Sequence, residues 1–246
     1  MSRREPLALV LSCEHAGNRV PPSLRAAFDD AAALLASHRG YDAGALAFAR
    51  RLGAALQVPV IATTISRLVV DTNRHAGHPR VISERLAMLE PAARARLLAR
   101  WHAPHRARVR DAVAAALRRA SRVLHVAVHS FTPVLDGVVR QADVGLLYDP
   151  GRALERRLAG AWRDAVRRGW PTLRVRANYP YRGTSDGLTR WLRTCFADAR
   201  YAGIELELNA GMLQQPAQWR AATTAMLRGL ATVLSSSRPD TSSRRS

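Results

Sequence analysis

The stretch LVLSCEHAGNRVPP, residues 9–22, decides how this chain should be built. A short apolar run ends in Glu14 and His15, and the backbone then meets Ala16, Gly17 and Asn18. A strand that is apolar on both faces belongs inside a parallel sheet covered by helices. Its last positions stand where open α/β sheets bind ligands, outside the carboxyl ends of the strands. A histidine and a carboxylate delivered there, beside a glycine that lets the chain turn, point to chemistry.

The rest of the chain repeats the pattern. VPVIATTI (58–65) predicts a β-branched strand, and SRLVVDTNR (66–74) a second short apolar piece ending in polar groups. SRVLHVAVHSFTP (121–133) predicts a strand with His125, Ala127 and His129 on one face. DVGLLYD (143–149), TLRVRAN (172–178) and YAGIELELNA (201–210) predict three more. Helices are expected at 21–37 behind Pro21 and Pro22, after Tyr41-Asp42, at 84–99 and 105–119 on either side of WHAPH, at 152–168, over GLTRWLRTCFA, and at 215–234. Residues 75–84 and YPYRGTSDG (179–187) read as loops. This alternation predicts the α/β class: a single domain over residues 1–234, with a mixed, mostly parallel sheet and helices on both faces, as in phosphorylase- and hydrolase-like folds. The tail SSSRPDTSSRRS (235–246) reads as disordered.

Composition narrows the function classes. The chain has 246 residues, 48% of them hydrophobic, enough for one sizeable core. No run approaches the ~18 apolar residues of a membrane span, and the N-terminus lacks a full signal-peptide pattern. Only Cys13 and Cys195 occur, which argues against a disulfide framework and for a reducing cytoplasm. The net charge of +19 raises the question of nucleic acid. All 38 basic residues are arginine, however, and they spread along helix-like segments such as RRLGAALQ and LERRLAGAWRDAVRR. Aromatics make up 6% and do not interleave with them as a stacking platform would. A basic nucleic-acid-associated protein is therefore the weakest reading.

His15 and His129 each close an apolar strand, 114 residues apart. Imidazoles placed this way suit a metal that keeps an open position for water, zinc or another divalent ion, with Asp42 or Glu14 as the third ligand. Glu205 and Glu207 alternate with apolar residues in IELEL, so both carboxylates share one face of a buried strand. Buried carboxylates are costly unless paired or used, and Glu207 is the candidate general base, with Glu205 as its substitute. Arg67, Arg74, Arg140 and Arg182 sit in strand-end or loop contexts suited to holding a carboxylate bidentately. Asp71, Asn73 and Ser130 complete the candidate substrate contacts, and Asn178 and Asn209 also fall at strand ends. His125 reads as structural, His102 and His105 as exposed imidazoles at a helix boundary, and His38, His75 and His78 carry little signal. A phosphate-binding glycine loop, a G-x-S-x-G motif and a C-x-x-C motif are all absent.

The ordered set SCEHAGNRVP, HRGYDAGAL, ISRLVVDTNR, HSFTPV, DVGLLYD, NYPYRGTSDGLT and YAGIELELN resembles the N-formylglutamate amidohydrolase family over residues 8–212. The resemblance implies a fold similar to the zinc carboxypeptidases and related deacylases. It also implies a metal-dependent hydrolase that cleaves the amide of an N-acyl amino acid, N-formyl-L-glutamate being the type substrate. By that resemblance His15 and His129 match the family's histidines, Glu207 the glutamate of the last strand, and Asp42 an early acidic position. The carboxypeptidase pattern places an acid three residues after the first histidine, where this chain has Asn18. The family's Pro-His-Ser/Thr-Gly is replaced by Glu14-His15-Ala16-Gly17, as in a shorter, divergent branch. A catalytically silent protein that binds N-acyl amino acids on the same scaffold is the alternative from another class.

Overall fold

The apolar runs pair into one large sheet in the computed structural model, which describes residues 7–237. Its strands are β1 (Leu7–Cys13), β2 (Val60–Ala62), β3 (Arg122–Phe131), the short hairpin pair β4 (Val134–Leu135) and β5 (Val138–Val139), β6 (Val144–Leu147), β7 (Val175–Ala177) and β8 (Tyr201–Asn209). The six-stranded order is β2-β1-β3-β8-β6-β7, with β4 and β5 pairing only with each other. The first four run parallel. β6 runs antiparallel to β8, and β7 follows β6.

The reversal has a local cause. A parallel return needs a long crossover, usually a helix, and the link from β3 to β6 contains none. It turns instead at Asp136-Gly137, whose positive φ values of 49° and 78° fit a two-residue hairpin turn. β6 therefore enters at the end of the sheet where β3 leaves. This direction also takes Asn178, at the end of β7, away from the carboxyl ends of β1, β3 and β8. Asn178 Oδ1 accepts from Tyr148 N and Gly183 N, both at 3.0 Å, and so fastens a loop.

The helices are α1 (Ala32–Ala36), α2 (Ala45–Leu56), α3 (Pro91–Leu97), α4 (Ala103–Leu117), α5 (Ala153–Gly169), α6 (Leu188–Cys195) and α7 (Pro216–Ser236). α2, α5 and α7 cover one face of the sheet, packing Phe48, Leu52, Trp162, Met226 and Leu230 against Leu11, Val126, Ile204 and Leu206. Trp162 Nε1 donates to the Met226 carbonyl at 2.9 Å, which satisfies the one polar atom of that side chain. α4 and α6 cover the opposite face with Val109, Val113, Leu188 and Leu192 against Val10, Val123 and Tyr201. Among the described residues no helix is long and apolar enough to cross a membrane.

Four local expectations are corrected. The helix expected over 21–37 is a 3₁₀ segment at Pro22–Phe28 followed by the short α1. Asp29 and Asp30 divide them, since adjacent aspartates favour turns over helix interior. Residues 66–70 form a helical turn, not a strand, in which Val69 N and Val70 N both donate to Ser66 O, and Asp71 then leaves it with its N–H on the Val81 carbonyl. The helices expected on either side of WHAPH instead run into each other through a π-helical turn at Leu98–His102. Pro104 lacks the N–H that an α-helix would use, and the wider turn absorbs it without breaking the rod. As a result His102 and His105 are buried, at 4% and 0% exposure. The expected tail loses its first positions to α7, which runs to Ser236; residues 238–246 lie outside the described residues.

His125 lies fully buried on the α4/α6 side, between Ser12 Oγ at 2.8 Å and the Tyr201 hydroxyl at 2.9 Å. Burial, the leading cause, pushes its pKa down from 6.5 to about 4. Between those values the unfolded chain takes a proton that the folded chain refuses, so stability falls as the pH falls through that window. The loss at this site amounts to at most about 3 kcal/mol. Unfolding titrations in denaturant across this range should show a shallower acid slope for His125→Gln than for the wild type; equal slopes would remove His125 from the acid response.

Candidate functional site

Three parallel strands end side by side and carry the polar groups. β1 delivers Glu14 and His15 just beyond Cys13, β3 delivers His129, and β8 delivers Glu205 and Glu207. The register sets His129 opposite Glu207 and Ala127 opposite Glu205. Period-two alternation puts these side chains on the α4/α6 side, with Val123 and Tyr201.

Asp42 arrives from the loop before α2, where its N–H donates to the His15 carbonyl at 3.0 Å. Gly44, at φ 78°, then turns the chain into the helix, so the Asp42 side chain is free to enter the site and does not cap α2. Asp42 Oδ2 lies 3.3 Å from His15 Nδ1 and 2.9 Å from His129 Nδ1. One ligand atom from each of these three buried residues falls within 4.8 Å of the others.

The far nitrogen of each imidazole meets a different carboxylate. His15 Nε2 is 2.7 Å from Asp71 Oδ1, and His129 Nε2 is 3.1 Å from Glu14 Oε2. Arg67 Nη2 also stands 3.0 Å from His15 Nε2, but an ionised carboxylate only accepts, so the ring proton belongs to Asp71. Asp71 behind His15 holds the Nε2–H tautomer and turns the Nδ1 lone pair toward Asp42, whereas Glu14 Oε2 stands beside His129 Nε2 as an ion pair, neither atom having a hydrogen-bond partner. Two lone pairs and a carboxylate oxygen repel one another unless a proton or a cation lies between them. His15, Asp42 and His129 thus form a buried donor set of two nitrogens and one oxygen that can hold a metal ion.

Without a cation the electrostatics place protons between these groups, as the raised His15 and His129 values show. Burial disfavours charge on Asp42, but His15, Arg67 and His129 outweigh it and hold the carboxyl well below the usual range. Burial likewise opposes ionisation of Glu14, and the His105 and His129 imidazoles beside it overcome that and hold its pKa well down. Burial lowers the His129 pKa and its Asp42 and Glu14 partners raise it further, for a net shift well upward. Glu207 goes the other way: burial, with Asp42 and Glu205 beside it, pushes its pKa up to about 7 despite His129 and Arg67. Glu207 Oε2 is buried and has no hydrogen-bond partner. Glu205 accepts a hydrogen bond from the Thr189 hydroxyl, and burial raises its pKa as well.

Above these groups opens a cavity of about 780 Å³ with His15, Asp42, His129, Glu205 and Glu207 at its base. Arg67, Asp71, Asn73, Arg74, Ser130, Tyr181 and Arg182 line it too. The candidate substrate contacts divide by what they already hold. Asp71, besides anchoring His15, lies 3.7 Å from Arg67 Nε and 3.3 Å from Arg74 Nε, and Arg67 Nη1 is 3.3 Å from Asp42 Oδ1. Asn73 Oδ1 accepts from Leu188 N at 2.7 Å, and Ser130 Oγ donates to the Ala43 carbonyl at 2.8 Å. Arg140 lies behind the cavity wall, donating to the Tyr181 hydroxyl at 3.0 Å beneath its ring. The Arg182 side chain lines the cavity with no ion pair or hydrogen bond among the described residues. Asn209 caps the turn after β8 through Gly211 N at 2.9 Å.

Sequence reasoning missed two features. Asp71 belongs behind His15, which the helical turn at 66–70 explains because it brings Arg67 and Asp71 to one side. His105 reaches Glu14 Oε1 at 3.2 Å from α4, and the only trace of this in the sequence is a proline inside a helical stretch.

Known proteins share this fold. A crystal structure of gene product Atu2144 from Agrobacterium tumefaciens superposes with a TM-score of 0.79 at 28% identity, covering 95% of this chain and 92% of that one. An N-formylglutamate amidohydrolase from Ralstonia eutropha JMP134 shares the fold at a TM-score of 0.68 and 18% identity, over 94% and 96% of the two chains. No curated protein matches the sequence. The family model of N-formylglutamate amidohydrolase matches residues 7–213, and the chain belongs to this amidohydrolase family.

Proposed function

We propose that this cleft hydrolyses the amide bond of a small N-acyl amino acid, N-formylated as in N-formyl-L-glutamate, with zinc or another divalent ion held by His15, Asp42 and His129. The observation that carries the reading is the convergence of both Nδ1 atoms on Asp42 Oδ2 beside the unpartnered Glu207 Oε2. The metal would supply Lewis acidity toward the amide carbonyl and toward water.

The residues around it divide the remaining work. Asp71 keeps His15 in the tautomer that offers Nδ1, and the Glu14 charge beside Nε2 favours the same tautomer in His129. Glu207, poised near neutrality, takes a proton from the attacking water at Oε2 and returns it to the leaving nitrogen. Arg67 is committed to Asp42 and Asp71, and Arg74 to Asp71, so they balance the charge of the base. Arg80 and Arg182 are the cavity arginines whose side chains have no ion pair or hydrogen bond among the described residues, and Arg182, beside Tyr181 in the loop before α6, is the one assigned to receive a substrate carboxylate in a two-pronged contact.

The test is formate release from N-formylglutamate, N-formylaspartate and neutral formyl amino acids, together with elemental analysis. The wild type should retain close to one divalent metal, and His15→Ala and His129→Ala should lose it. Unchanged metal content in both variants defeats the ligand assignment. Turnover by Glu207→Gln should drop by ~10²–10⁴-fold with metal and fold retained; near wild-type turnover would transfer the role to Glu205. Arg182→Ala should raise KM about tenfold or more, the worth of a hydrogen bond to a charged group, with kcat little changed. A folded, metal-replete protein that cleaves no N-acyl amino acid would leave the silent binding scaffold in place of the enzyme.

A further inference from the structure

The two arms of the metal centre are built differently. Behind His15 stands Asp71, which Arg67 and Arg74 offset from the cavity side. Behind His129 stands Glu14, and behind Glu14 stands His105. Glu14 Oε1 is hydrogen-bonded to His105 Nε2 at 3.2 Å, while Oε2 lies 3.1 Å from His129 Nε2 as an ion pair in which neither atom has a hydrogen-bond partner, and both the Glu14 and the His105 side chains are at 0% exposure. Among the described residues no arginine pairs with Glu14, so its buried charge rests on two imidazoles.

His105 gains little for the fold by being a histidine. Its Nδ1 is buried without a hydrogen-bond partner, a cost that a leucine or phenylalanine at the same place in α4 would avoid. Among the described residues its one polar side-chain contact is Glu14 Oε1. The backbone is also bent to deliver it: the π-helical turn at Leu98–His102 accommodates Pro104 and brings His102 onto the Arg74 carbonyl at 2.8 Å and His105 onto Glu14. Such widened turns recur where a helix must aim side chains at a site.

We propose that His105 is a positioning residue for the metal centre: its Nε2–H clamps the Glu14 carboxylate so that the Oε2 charge stays beside His129 Nε2 and His129 Nδ1 stays aimed at Asp42. The inference rests on the reading that His15, Asp42 and His129 hold a divalent ion. His105 touches neither metal nor substrate and acts only through Glu14.

The experiment measures the zinc dissociation constant by chelator competition, and the visible absorption of the cobalt(II)-substituted protein, for the wild type and four variants. His105→Leu should weaken zinc binding by ~10–100-fold and change the cobalt spectrum. His105→Gln, whose amide N–H can still donate to Glu14, should restore both. Adding His105→Leu to Glu14→Gln should cost no more than Glu14→Gln alone, because residues that act through one another do not add. Wild-type zinc affinity in folded His105→Leu, equal losses in the Gln and Leu variants, or additive losses in the double variant would each overturn the proposal. If His105→Leu does not fold, His105→Asn, one carbon too short to reach, takes its place. If the wild type holds no divalent ion, the metal reading itself has failed. The ¹⁵N shift of His129 Nε2 then decides alone: a change in His105→Leu upholds the clamp, and an unchanged shift ends it.

Discussion

One carboxylate oxygen, Asp42 Oδ2, faces two imidazole nitrogens at 3.3 and 2.9 Å, and much of the molecule serves to keep that meeting in place. Removing ionised groups from water costs several kcal/mol each unless opposite charge and hydrogen bonds replace the solvent. The surroundings supply both. Arg67 and Arg74 flank the acids on the cavity side, and Thr72 Oγ1 holds the Glu14 carbonyl at 3.2 Å. Arg106 ties down the carbonyls of Asn73 and Arg74, each at 3.0 Å, so the turn that carries Asp71 does not drift. The sheet makes this convergence possible because the carboxyl ends of β1 and β3 lie side by side.

The same burial that makes the centre expensive also separates its carboxylates by role. Glu14, Asp42 and Asp71 each have imidazole or guanidinium partners and stay ionised far below neutrality. Glu207 faces the same cavity without a hydrogen bond at Oε2, and its pKa lies near 7. Carboxylates pushed apart in this way divide into groups that hold and a group that exchanges protons. The net charge of +19 does not decide the division, because the arginines beside these acids are Arg67 and Arg74.

Much of the fold was legible in the chain because it rests on local pattern. Continuous apolar runs such as LALVLSC make doubly covered strands, and helix-period segments between them make the layers. The position of Glu14 and His15 at the end of such a run, and the alternation of IELEL, marked the edge that carries the chemistry. The order of motifs from SCEHAGNRVP to YAGIELELN carried the family resemblance. The direction of β6 and β7 was harder to read, since nothing in DVGLLYD or TLRVRAN states which way the strand will run. That followed from a hairpin closing at Asp136-Gly137.

The sequence by itself determined which residues are chemically able: two histidines closing apolar strands, acids on a buried face, and arginines near strand ends. Only the tertiary structure decided which of them meet. Asp71 became the anchor of His15, Arg140 moved behind Tyr181, and His105, read as an exposed imidazole, turned inward to Glu14. The physical reason is range. Strand and helix periodicity are set by neighbours within a few residues, whereas a pairing such as His105 with Glu14 spans 91 positions and exists only once α4 has packed on β1.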